Sequence, residues 1–224
     1  MDISTVNQGY CDAVMDTDRE SALHIIDVAM ESGIAAEQLV FDVVLPALDH
    51  MLHVIAARDD ATLAQHFMTA RVSEEVVEAL LPKFRQRPSC SGVVVLGTAR
   101  GDFHGLGKKI VAGTLRAHMY TVHDAGLNVS PLQFVDLAAE TGATVIGVSS
   151  MMMHTTVGDE GPLGVRAELT RRGLDKRIRL IVDGAPYRFD DTLYRRVSAD
   201  AFAQDAFSAV AVVSALCARG EHHA

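Results

Sequence analysis

Between Ser4 and Leu81 the apolar side chains return every third or fourth position: Leu23, Ile26, Ala29 and Met30 make one stripe, and Val40, Val43, Val44, Ala47, Leu48 and Met51 another. That spacing predicts helices that each bury one face. Short polar residues interrupt it at Asp16-Thr17-Asp18, at Ser32-Gly33 and at Arg58-Asp59-Asp60-Ala61-Thr62, where their side chains can cap the helix that follows. The pattern predicts four helices, and four amphipathic helices joined by short loops predict an antiparallel bundle. From Lys83 to Gly92 the chain turns polar and carries Pro88, so a bundle domain is expected over 1–84, a linker over 85–91 and a second domain over 92–220.

Beyond Gly92 the rhythm changes. Short β-branched runs at Val93 to Leu96, Thr121 to Val122, Thr144 to Val148, Arg179 to Val182 and Ala201-Phe202 alternate with helical stretches. Strands separated by crossover helices pair in parallel. The expected fold class is therefore α/β: an N-terminal four-helix bundle, then a doubly wound, flavodoxin-like or Rossmann-like parallel sheet of five strands.

The 224 residues suffice for two domains with cores of their own, and 49% apolar with 22% charged side chains is a globular composition. A net charge of -9, from 20 Lys and Arg against 29 Asp and Glu, speaks against a nucleic-acid partner. No run approaches the roughly 18 apolar residues of a membrane span. Met1-Asp2-Ile3-Ser4 does not open a secretory signal, so a cytoplasmic protein with no membrane partner is expected. Cys11, Cys90 and Cys217 have neither the number nor the spacing for a disulfide framework or a thiolate metal site.

The chemistry concentrates in Gly101-Asp102-Phe103-His104-Gly105-Leu106-Gly107-Lys108-Lys109, between the apolar run from Val93 and the helical run Ile110 to Leu115. Strand, flexible loop and helix place His104 at the carboxyl edge of the sheet, where open α/β sheets bind ligands. A carboxylate two residues before a histidine can hold one ring nitrogen as a donor and leave the other to a metal. One protein ligand does not hold a bare zinc ion, so the metal is expected to arrive already chelated by a cofactor, which the loop glycines allow to approach closely. Lys108 and Lys109, at a helix start where they oppose the dipole, are expected to reach a cofactor phosphate or a partner protein.

With these residues in place, the chain resembles the cobalamin-binding modules of methionine synthase and of corrinoid methyl-carrier proteins, over nearly its whole length. Those modules carry Asp-x-His-x-x-Gly, matched by Asp102, His104 and Gly107; their histidine replaces the cofactor's own dimethylbenzimidazole beneath the cobalt. Ser149, 45 residues after His104, stands where the family's Ser-x-Leu serine binds the displaced base, with Met151 for the leucine and Met153 where a threonine is usual. Asp183-Gly184 stands at the Gly-Gly step that accommodates the nucleotide tail. The preceding bundle resembles the family's cap, which implies that His66, Phe67 and Met68 lie at the upper cobalt face, Phe67 or Met68 directly over it. His66, on an apolar helix face, also reads as a hydrogen-bonded core histidine.

The resemblance implies a protein that binds cobalamin base-off with His104 as the cobalt's axial ligand, with Phe103, Gly105, Met151, Met153 and Asp183 among the cofactor contacts. It implies a carrier that takes a methyl group from a substrate-specific methyltransferase and delivers it to a second methyltransferase acting on a thiol or a folate, with methylcobalamin as the working cofactor. Such a chain is a subunit of an enzyme system and does not complete a turnover alone. A regulatory reading stands beside it: cobalamin-binding light sensors share the bundle and module, use adenosylcobalamin, and carry a Glu-His pair that Gln65-His66 resembles. Those sensors place a tryptophan against the adenosyl group, and this chain has no Trp.

Overall fold

The computed structural model describes residues 2–50, 62–84 and 91–220 and divides the chain into two units, Met1–Ser89 with Arg116–His118 and Cys90–Leu115 with Met119–Ala224. Apart from Ser91, the expected linker at 85–91 lies outside the described residues, as do Met51 and residues 58–61 of the third expected break.

In the first unit, α1 (Ile3–Met15) and α2 (Arg19–Glu31) meet at a tight turn where the Asp18 carboxylate accepts the Ser21 amide at 3.0 Å. This is the N-cap that the short polar break predicts. α2 buries Ala22, Ile26 and Ala29, so its inner stripe is rotated from the one read in the sequence, and Leu23 and Met30 are only half-buried. Ala22 and Ala29 bracket Ile26 along this inner stripe. α3 (Ala36–Leu39) runs on through a wide π-helical turn at Val40–Val44 into further helix over 45–50. Val40, Val43, Val44, Ala47 and Leu48 are all buried, as their spacing predicts. α4 (Leu63–Leu80) opens with a capping box: the Thr62 hydroxyl accepts the Gln65 amide at 3.2 Å and the Gln65 side-chain oxygen accepts the Thr62 amide at 2.9 Å. α1 packs against α2, α4 and the π turn to form the bundle. No helix among the described residues is long and apolar enough to cross a membrane.

The second unit is a parallel sheet in the order β2-β1-β3-β4-β5, built from β1 (Val93–Ala99), β2 (Thr121–Val129), β3 (Val145–Ser149), β4 (Arg179–Asp183) and β5 (Ala201–Ala203). Its connections are α5 (Leu106–Ala117), α6 (Pro131–Thr141), α7 (Met153–Val157), α8 (Pro162–Arg171), α9 (Ala185–Phe189) and α10 (Leu193–Arg196), with α11 (Ala206–Gly220) after β5. This is the doubly wound α/β architecture expected. The one large correction is β2, which spans 9 residues where the sequence pattern shows two. β2 is an edge strand, so little of it is buried, and His123, Asp124, Gly126 and Asn128 break up its apolar run.

The topology itself locates a crevice. The chain leaves β1 toward β2 on one side and returns to β3 on the other, so the loops after β1 and β3 part, and ligands of doubly wound sheets bind at such a reversal. Across it, Thr98 pairs in register with Ser149 and Ser149 with Asp183, which sets three polar side chains in a row on one face of the sheet at its carboxyl edge. The opposite face is filled by a continuous core that includes Val95, Phe134, Ile146, Leu169 and Leu180.

Candidate functional site

The loop after β1 is fixed before any ligand is considered. The Asp102 amide donates to the Ala99 carbonyl at 2.9 Å, and the Thr98 hydroxyl donates to the Asp102 carbonyl at 2.6 Å. Asn128, at the end of β2, shares its amide between the Thr98 hydroxyl (2.9 Å) and the Asp102 carbonyl (3.1 Å), while its side-chain oxygen accepts the Gly101 amide at 2.8 Å. Asn128 adopts φ 55°, a left-handed conformation that asparagine tolerates better than most residues. Thr98 and Asn128 are positioning residues that the sequence reading missed, and an Asn at the frayed-looking end of an edge strand gives no pattern by which to find them.

This loop delivers Asp102 into the sheet edge and His104 outward: Asp102 is 1% exposed, whereas the His104 side chain is 58% exposed. Asp102 Oδ1 accepts the His104 amide at 2.9 Å and lies 2.9 Å from His104 Nδ1; Oδ2 accepts the Met151 amide at 2.7 Å and the Thr155 hydroxyl at 3.1 Å. Burial works against the charge on Asp102, but these bonds together hold its pKa below the ordinary carboxylate value. An ionised carboxylate facing Nδ1 fixes the proton there, so Nε2 presents its lone pair to whatever sits at the sheet edge. Thr155 supplies the hydroxyl two positions later than the residue 153 where the family comparison puts it, because Met153 opens α7 and Thr155 is carried back toward Asp102.

Ser149 and Asp183 end β3 and β4 side by side. Burial pushes the Asp183 carboxyl upward toward its neutral form, Ser149 opposes this by a hydrogen bond, and the Asp102 charge adds to it. Asp183 Oδ1, Ser150 Oγ and the Tyr187 hydroxyl are buried with no hydrogen-bond partner among the described residues. Asp183 thus points inward. Gly184 has φ 119°, and a Cβ there would stand 1.9 Å from the Ser150 carbonyl oxygen, so the turn after β4 admits only glycine because it closes on the end of β3.

The sequence-predicted residues Asp102, Phe103, His104, Gly105, Gly107, Ser149, Met151, Met153, Asp183 and Gly184 all lie at this carboxyl edge. A Cβ on Gly107 would meet nothing within 4 Å, so the edge beside the start of α5 stays open. Phe103, Leu106, Leu127, Met151, Met152 and Met153 are exposed large apolar residues of this edge and of the elements beside it, Phe103 at 66%, and apolar surface of this kind marks a ligand or partner face. Lys108 departs from expectation. It is 3% exposed and its ammonium is turned inward, onto the Asp124 carboxylate and the Gly126 carbonyl at 3.2 Å, whereas Lys109 is exposed. His66, Phe67 and Met68 lie on α4 of the bundle; Phe67 and Met68 are half-buried, and the His66 side chain is outside the described residues.

Comparison with known proteins agrees with the class of site that these residues define. The B12 binding domain family model matches residues 92–211, and the chain belongs to that family. A dimethylamine corrinoid protein of Methanosarcina acetivorans is 30% identical over 213 residues, 94% of this chain and 96% of that protein. Among solved structures, a cobalamin-binding protein from Desulfitobacterium hafniense superposes with a TM-score of 0.75 at 21% identity, covering 94% of this chain and 98% of that one. The methanol:cobalamin methyltransferase complex of Methanosarcina barkeri gives a TM-score of 0.75 at 20% identity over 96% of this chain and 80% of that one. These two likenesses establish the shared fold. The residues fit a corrinoid on their own account: an outward imidazole nitrogen, an open apolar edge for a flat ring, and orphaned polar atoms buried behind it.

Proposed function

We propose that the chain is a corrinoid methyl carrier that binds cobalamin with its nucleotide base displaced and His104 as lower axial ligand, and shuttles a methyl group between a substrate-specific methyltransferase and a second methyltransferase acting on a thiol or folate. The observation that carries the reading is the Asp102–His104 pair, set at the topological reversal with the ring held through Nδ1 and Nε2 left free. Relatedness to a corrinoid protein over 94% of the chain, bundle included, supports a carrier over a free-standing binding module.

When bound, the corrin's cobalt supplies the making and breaking of the methyl bond. The chain's residues hold and screen it. Asp102 keeps the proton on His104 Nδ1, and Thr155 and the Met151 amide keep Asp102 in place. Phe103, Gly105, Met151 and Met153 would line an apolar seat for the ring, Gly107 would leave it room, and Ser149, Asp183 and Gly184 would receive the nucleotide tail. By the resemblance, His66, Phe67 and Met68 on α4 of the bundle would be the residues that screen the methyl group from water.

In the regulatory alternative, Gln65 would belong to the ligand pair. Its side chain instead closes the N-cap of α4 and donates to the Met15 carbonyl at 3.4 Å, which weighs against that role. The test is reconstitution of the full chain with methylcobalamin and with adenosylcobalamin, followed by absorbance in the dark and in light. A carrier retains methylcobalamin and yields its methyl group to a thiol when a partner methyltransferase is added. A light-dependent spectral change of a tightly held adenosyl form would favour the sensor.

A further inference from the structure

β1 and β2 do not run evenly. Leu96 pairs with Asp124 and Ala99 with Val129, so β2 uses two more residues than β1 between those pairs, one on each side of Gly126, which pairs with Gly97. Extra residues of this kind bulge a strand and re-aim the side chains that follow. Here those side chains are Leu127 and Asn128, and both reach the loop that carries His104. The Asn128 side-chain oxygen accepts the Gly101 amide at 2.8 Å. Leu127 lies against Gly105, where an added Cβ would stand 2.7 Å from its Cδ2. The two residues thus hold the loop on either side of the histidine.

The bulge is itself clamped. Asp124 Oδ1 accepts the Gly126 amide at 2.8 Å across it, and Lys108 donates its ammonium to the same carboxylate and to the Gly126 carbonyl at 3.2 Å. Lys108 lies in the first turn of α5, which begins two residues after His104, so the contacts close a ring from the loop through α5 and β2 back to the loop. A buried ammonium is costly to desolvate, and apolar side chains of similar volume often replace a buried ion pair without loss of stability. Stability therefore does not account for a buried lysine here, whereas its donors fix the two ends of the bulge.

Resting on the corrinoid reading of the site, we propose that Lys108 and Asp124 are positioning residues for the cobalt ligand: they hold the β2 bulge that aims Leu127 and Asn128 at the loop, and so fix where His104 Nε2 stands. The pair acts through the backbone of β2. Loosening it frees Asn128, and with it the Gly101 amide and the Asp102 carbonyl that Asn128 holds. Asp102 keeps its bonds from the Met151 amide and the Thr155 hydroxyl, so the histidine still reaches cobalt but is less firmly placed.

The experiment compares wild type, Lys108→Met and Asp124→Asn as full chains. Amide hydrogen exchange of the cofactor-free chains is read at Gly101 and, for reference, at Val182 in the middle of β4. The same chains loaded with cobalamin are read for retention of the cofactor and for nitrogen splitting in the spectrum of the paramagnetic cobalt state. Lys108→Met should exchange about tenfold faster at Gly101, the effect of one hydrogen bond released, with a smaller change at Val182. It should also hold cobalamin about tenfold less tightly, as loss of support behind a metal ligand does, while still showing the splitting. Asp124→Asn keeps an acceptor for the Gly126 amide and should stay close to wild type. Lys108→Met that matches wild type in exchange and retention, or that speeds exchange equally at Gly101 and Val182, would overturn the inference and leave the corrinoid site intact. A wild type without nitrogen splitting would overturn the reading of His104 on which the inference rests.

Discussion

Thr155 donates its hydroxyl to Asp102 Oδ2 at 3.1 Å while Oδ1 of the same carboxylate lies 2.9 Å from His104 Nδ1, so a residue 51 positions beyond the histidine helps set how that histidine is held. Removing the hydroxyl without changing side-chain shape tests the link. Thr155→Val should weaken cobalamin retention about tenfold, as loss of a supporting bond behind a metal ligand usually does. Retention measured by gel filtration of the reconstituted protein decides the point.

Asp183 predicts a pH signature. Its folded pKa is raised above the unfolded value, so its contribution is fully present below about pH 3.8 and is lost as pH rises through the folded value. Asp183→Asn escapes that loss. The cofactor-free variant should therefore melt at a higher temperature than wild type at pH 7, and the difference should shrink toward zero as the pH is lowered to the ordinary carboxylate range.

At Gly184 the backbone demands glycine for two independent reasons, its φ of 119° and the Ser150 carbonyl 1.9 Å from any Cβ. Gly184→Ala should destabilise by at least about 2 kcal/mol, or roughly 4–8 °C in Tm for a chain of this size. Thermal melts followed by circular dichroism would show it. The same melt with cofactor added separates this loss of stability from any loss of binding.

The Lys108–Asp124 pair is asymmetric, since the lysine side chain is 3% exposed and the aspartate 37%. Asp124→Ala strands a buried ammonium and should cost about 3 kcal/mol. Lys108→Met leaves a carboxylate that water can reach, and should cost roughly 1 kcal/mol or less. Chemical denaturation of the two variants checks the order; equal costs would count against the buried-cation reading.

The sequence pointed to most of this sheet edge because the residues it singles out come in short local patterns: Asp102 and His104 two apart, Ser149 at the end of a β-branched run, Gly184 after another. What holds them is non-local. Asn128 latches the loop from the end of β2 and Thr155 reaches Asp102 from α7, and neither contact follows a periodicity or a spacing. The buried strands β1, β3 and β4 were legible because the middle of each is buried and made of apolar residues. β2 was cut short in the reading because an edge strand is free to carry Asp124, Gly126 and Asn128, which then serve the buried lysine and the loop. Lys108 misled for a related reason: a lysine at a helix start looks solvent-bound until its partner across the sheet is known.

The central claim is that His104 Nε2, held through Asp102, is the lower ligand of cobalt. The most direct test is the electron paramagnetic resonance spectrum of the protein reconstituted with cobalamin and reduced to the paramagnetic cobalt state, prepared with ordinary and with heavy-nitrogen histidine. The account predicts superhyperfine splitting from one nitrogen that changes on histidine labelling and disappears in His104→Ala. Splitting that ignores the label and survives in His104→Ala would mean that the cofactor keeps its own base, and would contradict the account.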